Sequence, residues 1–157
     1  MNTDRKDMER YLKKWQQNLR LRDWDIRLKI VETPWRKTGD IKIDMDDRNA
    51  VLMINACDPK QTNLEELILH ELLHLKLWPM DQMIETLLNG VYGEDEADPK
   101  REFAYTQFMT TLESTVNDLA KSFLEQGGEE REISFGRLAA EVMREIGGQA
   151  QQSDKAF

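Results

Sequence analysis

The reading of this chain turns on Leu64-Glu65-Glu66-Leu67-Ile68-Leu69-His70-Glu71-Leu72-Leu73-His74-Leu75. Its leucines recur at helical spacing, and the run is too apolar to stand in water. His70 and His74 are four apart. On a helix both imidazoles therefore leave one face, a turn from each other, and can close on one metal ion. Glu71 lies beside them, in reach of a water activated by such an ion. The chain has 2 histidines, and both are here. Burying two imidazoles and a carboxylate among leucines is costly without compensation. A bound cation compensates all three, whereas chance placement on a core helix serves none of them.

At 157 residues the chain is long enough for one domain with a real core. Hydrophobic residues make up 39% and charged residues 33%, a globular balance with a heavily charged surface. The single cysteine, Cys57, excludes an internal disulfide and fits a reducing compartment. No apolar signal-peptide core follows Met1, and no apolar run reaches membrane-spanning length. A cytoplasmic location without a membrane partner is expected. Residues 1–37 are net basic, although the whole chain carries a net charge of −8. A basic arm can touch nucleic acid, but a basic helix packed on an acidic body is the preferred reading. With that overall acidity, no nucleic-acid partner is expected.

Around the histidine helix the order of elements is readable. Residues 4–20 predict an amphipathic helix with Met8, Tyr11, Leu12, Trp15 and Leu19 on one side. Trp24–Glu32 alternates as a strand through Ile26, Leu28 and Ile30. Ile41, Ile43 and Met45 alternate with charges, Val51–Ala56 is an apolar run, and the turn-like Asp46–Asn49 joins them as a hairpin. Thr62-Asn63-Leu64-Glu65 has the form of a capping box. Pro79 predicts a helix stop near Leu77. A shorter helix over residues 80–91 is then expected, with an acidic loop up to Asp98. Asp98-Pro99 opens the longest helix, which runs to about Glu125 and ends at Gly127-Gly128.

Ser134 is placed to cap a last helix through Ile146. Its apolar side (Phe135, Leu138, Ala139, Val142, Ile146) is expected to pack on the body as core, with cover over the cleft as the alternative. Gly147 to Phe157 reads as a disordered tail. The expected fold is α+β, with a small, mostly antiparallel sheet of about three strands packed on the histidine helix and a long C-terminal helix. Residues 1–126 form one domain, and residues 127–157 are linker, helix and tail.

Catalytic zinc typically takes three protein ligands and a water. With no further histidine, the third ligand is a carboxylate or Cys57. The extended pattern H-E-x-x-H-x-x-G-x-x-H is excluded, because Leu77 and Met80 stand where Gly and His would be needed. Glu113 is the candidate. It falls within the stripe Met109, Val116, Ala120 and Phe123, and a carboxylate buried there needs a cation, either a metal or an Arg or Lys. Glu85 points off the apolar side of its helix, and Glu94 and Glu96 fall in a loop. Glu102 sits in a first turn, where an acid favours the helix dipole.

His70-Glu71-Leu72-Leu73-His74, with Glu113-Ser114-Thr115-Val116-Asn117-Asp118-Leu119-Ala120 downstream, resembles the gluzincin branch of zinc metallopeptidases. It looks most like the short bacterial and phage-encoded members. These include the repressor-cleaving type, whose glutamate ligand is followed by a similar Asn and Ala pattern. The resemblance covers roughly residues 24–124 in order of elements, and its sharp part is the histidine pentapeptide. It implies a zincin-like domain and zinc as the cofactor, with His70, His74 and Glu113 as metal ligands. It implies Glu71 as the general base for peptide-bond hydrolysis, acting on a protein or peptide substrate. It also implies that Val51–Ala56 borders the cleft and pairs with extended substrate, and that Tyr105 or Tyr92 polarises the oxyanion. The rival reading is a non-catalytic metal-binding or interaction module that keeps the site.

Overall fold

Alternating apolar residues in three short segments build one greasy sheet face, and the helices are arranged around it. The computed structural model describes residues 5–147. Its elements are α1 (Arg5–Asn18), β1 (Asp25–Val31), β2 (Gly39–Asp44), β3 (Asn49–Asn55), α2 (Leu64–Tyr92), α3 (Pro99–Gly127) and α4 (Gly136–Glu145). The fold is α+β. The expected tail beyond Gly147 lies outside the described residues. Among those residues, no helix is long and apolar enough to cross a membrane.

The sheet order is β1-β3-β2, with β1 parallel and β2 antiparallel to β3. The β2–β3 hairpin forms as expected, but the sheet is mixed rather than mostly antiparallel. The reason lies after β1, where the chain crosses to the far edge instead of turning back. Buried Asn55 fixes that crossing: its Nδ2 donates to the Trp35 and Lys37 carbonyls at 3.0 and 2.7 Å. Register aligns Leu28, Leu52 and Ile41 across the three strands, and Ile26, Ala50 and Ile43 beside them. Period-two alternation therefore sends one row into the core and the charged row (Arg27, Lys29, Lys42) outward.

The inner face packs on α2, with α1 and α3 flanking it in one core cluster. From Leu64 to Leu75, only His70 and His74 are not buried. A helix enclosed on nearly every side must satisfy its polar groups internally. Asn63, not Thr62, caps it: its Oδ1 accepts from Glu66 N at 2.9 Å, and its Nδ2 donates to the Glu130 and Glu132 carbonyls. The capping box fails because Glu65 is drawn into the core. There it accepts from Lys14 Nζ and Trp15 Nε1, each at 2.8 Å, and from the Glu129 and Glu130 amides at 2.7 and 2.8 Å. Arg10 also pairs with Glu129, so the basic face of α1 lies against acidic groups.

The expected stop near Leu77 does not occur. α2 runs through Pro79 to Tyr92 as one helix, absorbing the segment read as a separate helix over 80–91. Interior proline costs about 3 kcal/mol, because the Leu75 carbonyl loses its donor. Packing on both sides offsets this. Leu75 is buried before the proline and Leu88 after it, and buried Arg101 of α3 holds Asn89 Oδ1 through two N–H groups at 3.0 and 2.8 Å. α3 starts as read: Asp98 accepts from the Lys100 and Arg101 amides, with Pro99 in the first turn.

α4 departs from expectation. Phe135 is its N-cap position without a side-chain cap, and Ser134 Oγ accepts instead from Gly136 N and Thr62 N at 3.3 and 3.4 Å. Of its apolar side only Ala139 is buried; Phe135, Leu138, Val142 and Ile146 stay exposed. The helix is attached at its start and contributes little to the core.

Candidate metal centre

Two neighbouring turns of α2 carry His70 and His74, and the antiparallel α3 brings Glu113 across from them. The two Nε2 atoms are 3.1 Å apart. His74 Nε2 lies 3.0 Å from Glu113 Oε1, and His70 Nε2 lies 3.5 Å from Glu113 Oε2. Ligands of one tetrahedral zinc, bonded at about 2.1 Å, stand about 3.4 Å from each other. The nitrogen–nitrogen distance and the two nitrogen–oxygen distances, which run to different Glu113 oxygens, lie near that value; one donor atom from each side chain lies within 4.8 Å of the others, so the group could hold a metal ion. Among the described residues this is the one group of three such side chains placed to hold a metal. Cys57 is exposed in the loop after β3 and takes no part.

Each approach has a local cause. The spacing of four stacks the imidazoles, with ring centroids 4.8 Å apart. Val116 and Ala120, fully buried, are small enough to let α3 lie close on α2. Glu113 is not buried in the apolar stripe as expected. Its side chain is 47% exposed, while each imidazole is 17% exposed. It sits at the rim of the stripe, so the cluster is open on one side and walled by leucines on the other.

Electrostatics divides the two histidines. Burial, then the neighbouring His74, pushes His70 down to about 4. Burial also works against His74, but the hydrogen bond and charge of Glu113 outweigh it and raise its pKa. The same hydrogen bond lowers Glu113, despite partial burial. One imidazole is thus held neutral, the form that binds metal, and the other shares its proton with the carboxylate that a metal would replace it on. Glu71 is 7% exposed. Burial lifts it to about 7, with His74 opposing and Asp40 adding to the rise. A carboxyl poised there is suited to accept and return a proton near neutrality.

The sequence assigned no role in the site to three neighbours. Gly39, at the start of β2, brings backbone against Glu71: an added Cβ would lie 2.9 Å from Leu67 Cδ1 and 3.1 Å from Glu71 Oε1. Asn117, one turn beyond Glu113, has its side-chain amide in reach of the His70 ring, and the interaction favours a ring N–H. Its place four after Glu113 was the available signal. Arg137 of α4 acts through space on both His70 and Glu113; nothing in its local sequence marks it. Asn117→Ala removes its interaction with the His70 ring and is expected to weaken zinc affinity by about 10- to 100-fold, read by competition with a chromophoric chelator. Unchanged affinity would remove Asn117 from the site.

Neither tyrosine reaches the cluster. Tyr92 is 18 residues beyond His74 on the same helix, about 27 Å along its axis. Tyr105 has Asp81, Glu85 and Arg101 as its charged neighbours. The expected substrate-pairing strand is also displaced. β3 is the central strand with both edges occupied, so the edge beside Glu71 belongs to β2.

No family model matches the chain, and no curated protein sequence matches it.

Proposed function

We propose that this chain is a zinc-dependent peptidase of the gluzincin type, acting on protein or peptide substrates in a reducing cytoplasm. One observation carries the reading: one donor atom from each of His70, His74 and Glu113 lies within 4.8 Å of the others, with the buried carboxyl of Glu71 beside them. His70 Nε2, His74 Nε2 and the Glu113 carboxylate would hold zinc, which supplies Lewis acidity toward a water and a peptide carbonyl. Glu71 takes the proton of the attacking water and returns it to the leaving amine. The leucines that wall one side of the cluster lower the local dielectric and strengthen these charge interactions, while the other side stays open to substrate. The free edge of β2, where Gly39 meets Glu71, offers backbone groups to an extended peptide.

The zinc-loaded chain is expected to cleave casein or an unstructured peptide mixture. A chelator should stop the cleavage and added zinc restore it. Absence of cleavage by the fully loaded chain would favour the non-catalytic module.

A further inference from the structure

α2 outruns the body that covers it. Up to Leu75, the face carrying Leu69, Leu72 and Leu73 is buried in the core. The same face continues beyond Lys76 as Met80, Met83, Leu87 and Val91, each more than half exposed. His70 and His74 project roughly 130° away around the helix, toward Glu113, so this stripe is not part of the metal centre. Scattered exposed apolar residues are ordinary, but four aligned on one helix face mark a surface that is covered in use. Gly90 lies on the same stripe. Glycine inside an exposed helix costs stability that alanine would spare, and a Cβ there would meet nothing within 4 Å in this chain. Nothing inside the molecule needs the gap. Charge is divided along the stripe as well: exposed Lys76 opens it, and exposed Glu94 stands just past the end of the helix. Among the described residues neither makes an ion pair.

These features complement themselves. We propose that a second copy of this chain covers the stripe, its α2 running antiparallel about a two-fold axis at the level of Glu85. Met83 then packs on the partner's Leu87, Met80 lies over the partner's Gly90, and Lys76 meets the partner's Glu94. A two-fold dimer uses one patch twice, which a self-complementary stripe allows. Parallel pairing would set lysine against lysine and glutamate against glutamate. The rim charges set direction more than affinity. One helix pair over residues 76–94 covers less than the roughly 800 Å² per partner of a standard interface, so the dimer is a micromolar, exchanging one. The proposal does not rest on the metal reading, and the dimer leaves the histidine face open.

Sedimentation velocity of the full chain over about 5–200 µM tests it. Wild type is expected to pass from monomer to dimer across that range. Met83→Glu and Leu87→Lys change side chains that already meet water, so far-UV circular dichroism and the urea midpoint should hold. Each should weaken dimerisation about tenfold or more. Gly90→Gln reads the same seam without charge: it fills the gap under Met80 and should weaken the dimer although it favours the helix. Mixing the Met83→Glu and Leu87→Lys chains should recover the dimer, because the introduced carboxylate then faces the introduced ammonium. Mixing Met80→Glu with Met83→Lys should not, since those positions lie about 10 Å apart along the antiparallel pair. Wild type that stays monomeric at about 200 µM overturns the proposal. So does a dimer indifferent to Met83→Glu, Leu87→Lys and Gly90→Gln. Loss of the dimer in Leu138→Glu alone moves the interface to the apolar side of α4 and overturns it too. Recovery by neither mixture, or by both equally, overturns the antiparallel pairing.

Discussion

Glu65→Ala is expected to destabilise the fold by about 3–5 kcal/mol, because removing one partner from a buried charge network leaves the others without compensation. Glu65 is fully buried and serves four donors from α1 and the α3–α4 linker. For a domain of this size the loss corresponds to roughly 10 °C or more in Tm. Glu65→Gln is expected to recover part of it: the amide oxygen still accepts, but its NH2 group faces N–H donors. Urea unfolding at neutral pH measures both, and a change under about 0.5 kcal/mol in the alanine variant would contradict the account. Burial opposes ionisation of Glu65, but Lys14, Trp15 and the two amides outweigh it and lower its pKa. A carboxylate with a depressed folded pKa stabilises above its unfolded value of about 4.3 and loses that contribution as pH falls below it. Wild type should therefore lose stability on acidification more steeply than Glu65→Gln, which cannot titrate.

Glu71→Gln is expected to cut hydrolysis by about 10²–10⁴-fold while leaving zinc content unchanged. The amide cannot accept the proton of the attacking water. Glu71 also stands outside the ligand trio, so the metal does not depend on it. Because burial already raises the Glu71 pKa, the uncharged amide is isoelectronic with a form the site tolerates, and the fold should not suffer. Zinc content by mass spectrometry and peptide cleavage by chromatography, taken on the same preparation, separate the roles. Full cleavage by a zinc-replete Glu71→Gln protein would remove the general base and favour a non-catalytic module. Loss of zinc in the same variant would make Glu71 a ligand.

What was readable in the sequence was local chemistry. The spacing of His70 and His74 fixes a shared helix face, and Asp98-Pro99 fixes the start of the next helix, α3. Glu113 stood out as an acid among apolar positions, and it reaches the histidines, although from the rim of the stripe rather than its interior. The features that escaped depend on partners far along the chain. Pro79 reads as a stop until the α3 contacts beyond it are known. Thr62 reads as a better cap than Asn63 until the linker carbonyls claim the Asn63 amide. Strand alternation fixes which residues face inward but not which neighbour a strand takes, so β1 pairing parallel to β3 had no local signature. The apolar side of α4 looked like core because periodicity reports amphipathicity, not what covers it.

The central claim is that His70, His74 and Glu113 together hold one metal ion. Equilibrium dialysis against buffered zinc, with metal analysis of wild type and Glu113→Ala side by side, tests it most directly. The account predicts one zinc per wild-type chain and loss of that zinc, or an affinity weaker by about 100-fold or more, in Glu113→Ala. Stoichiometric zinc at wild-type affinity in Glu113→Ala, or no zinc bound by wild type, would contradict it.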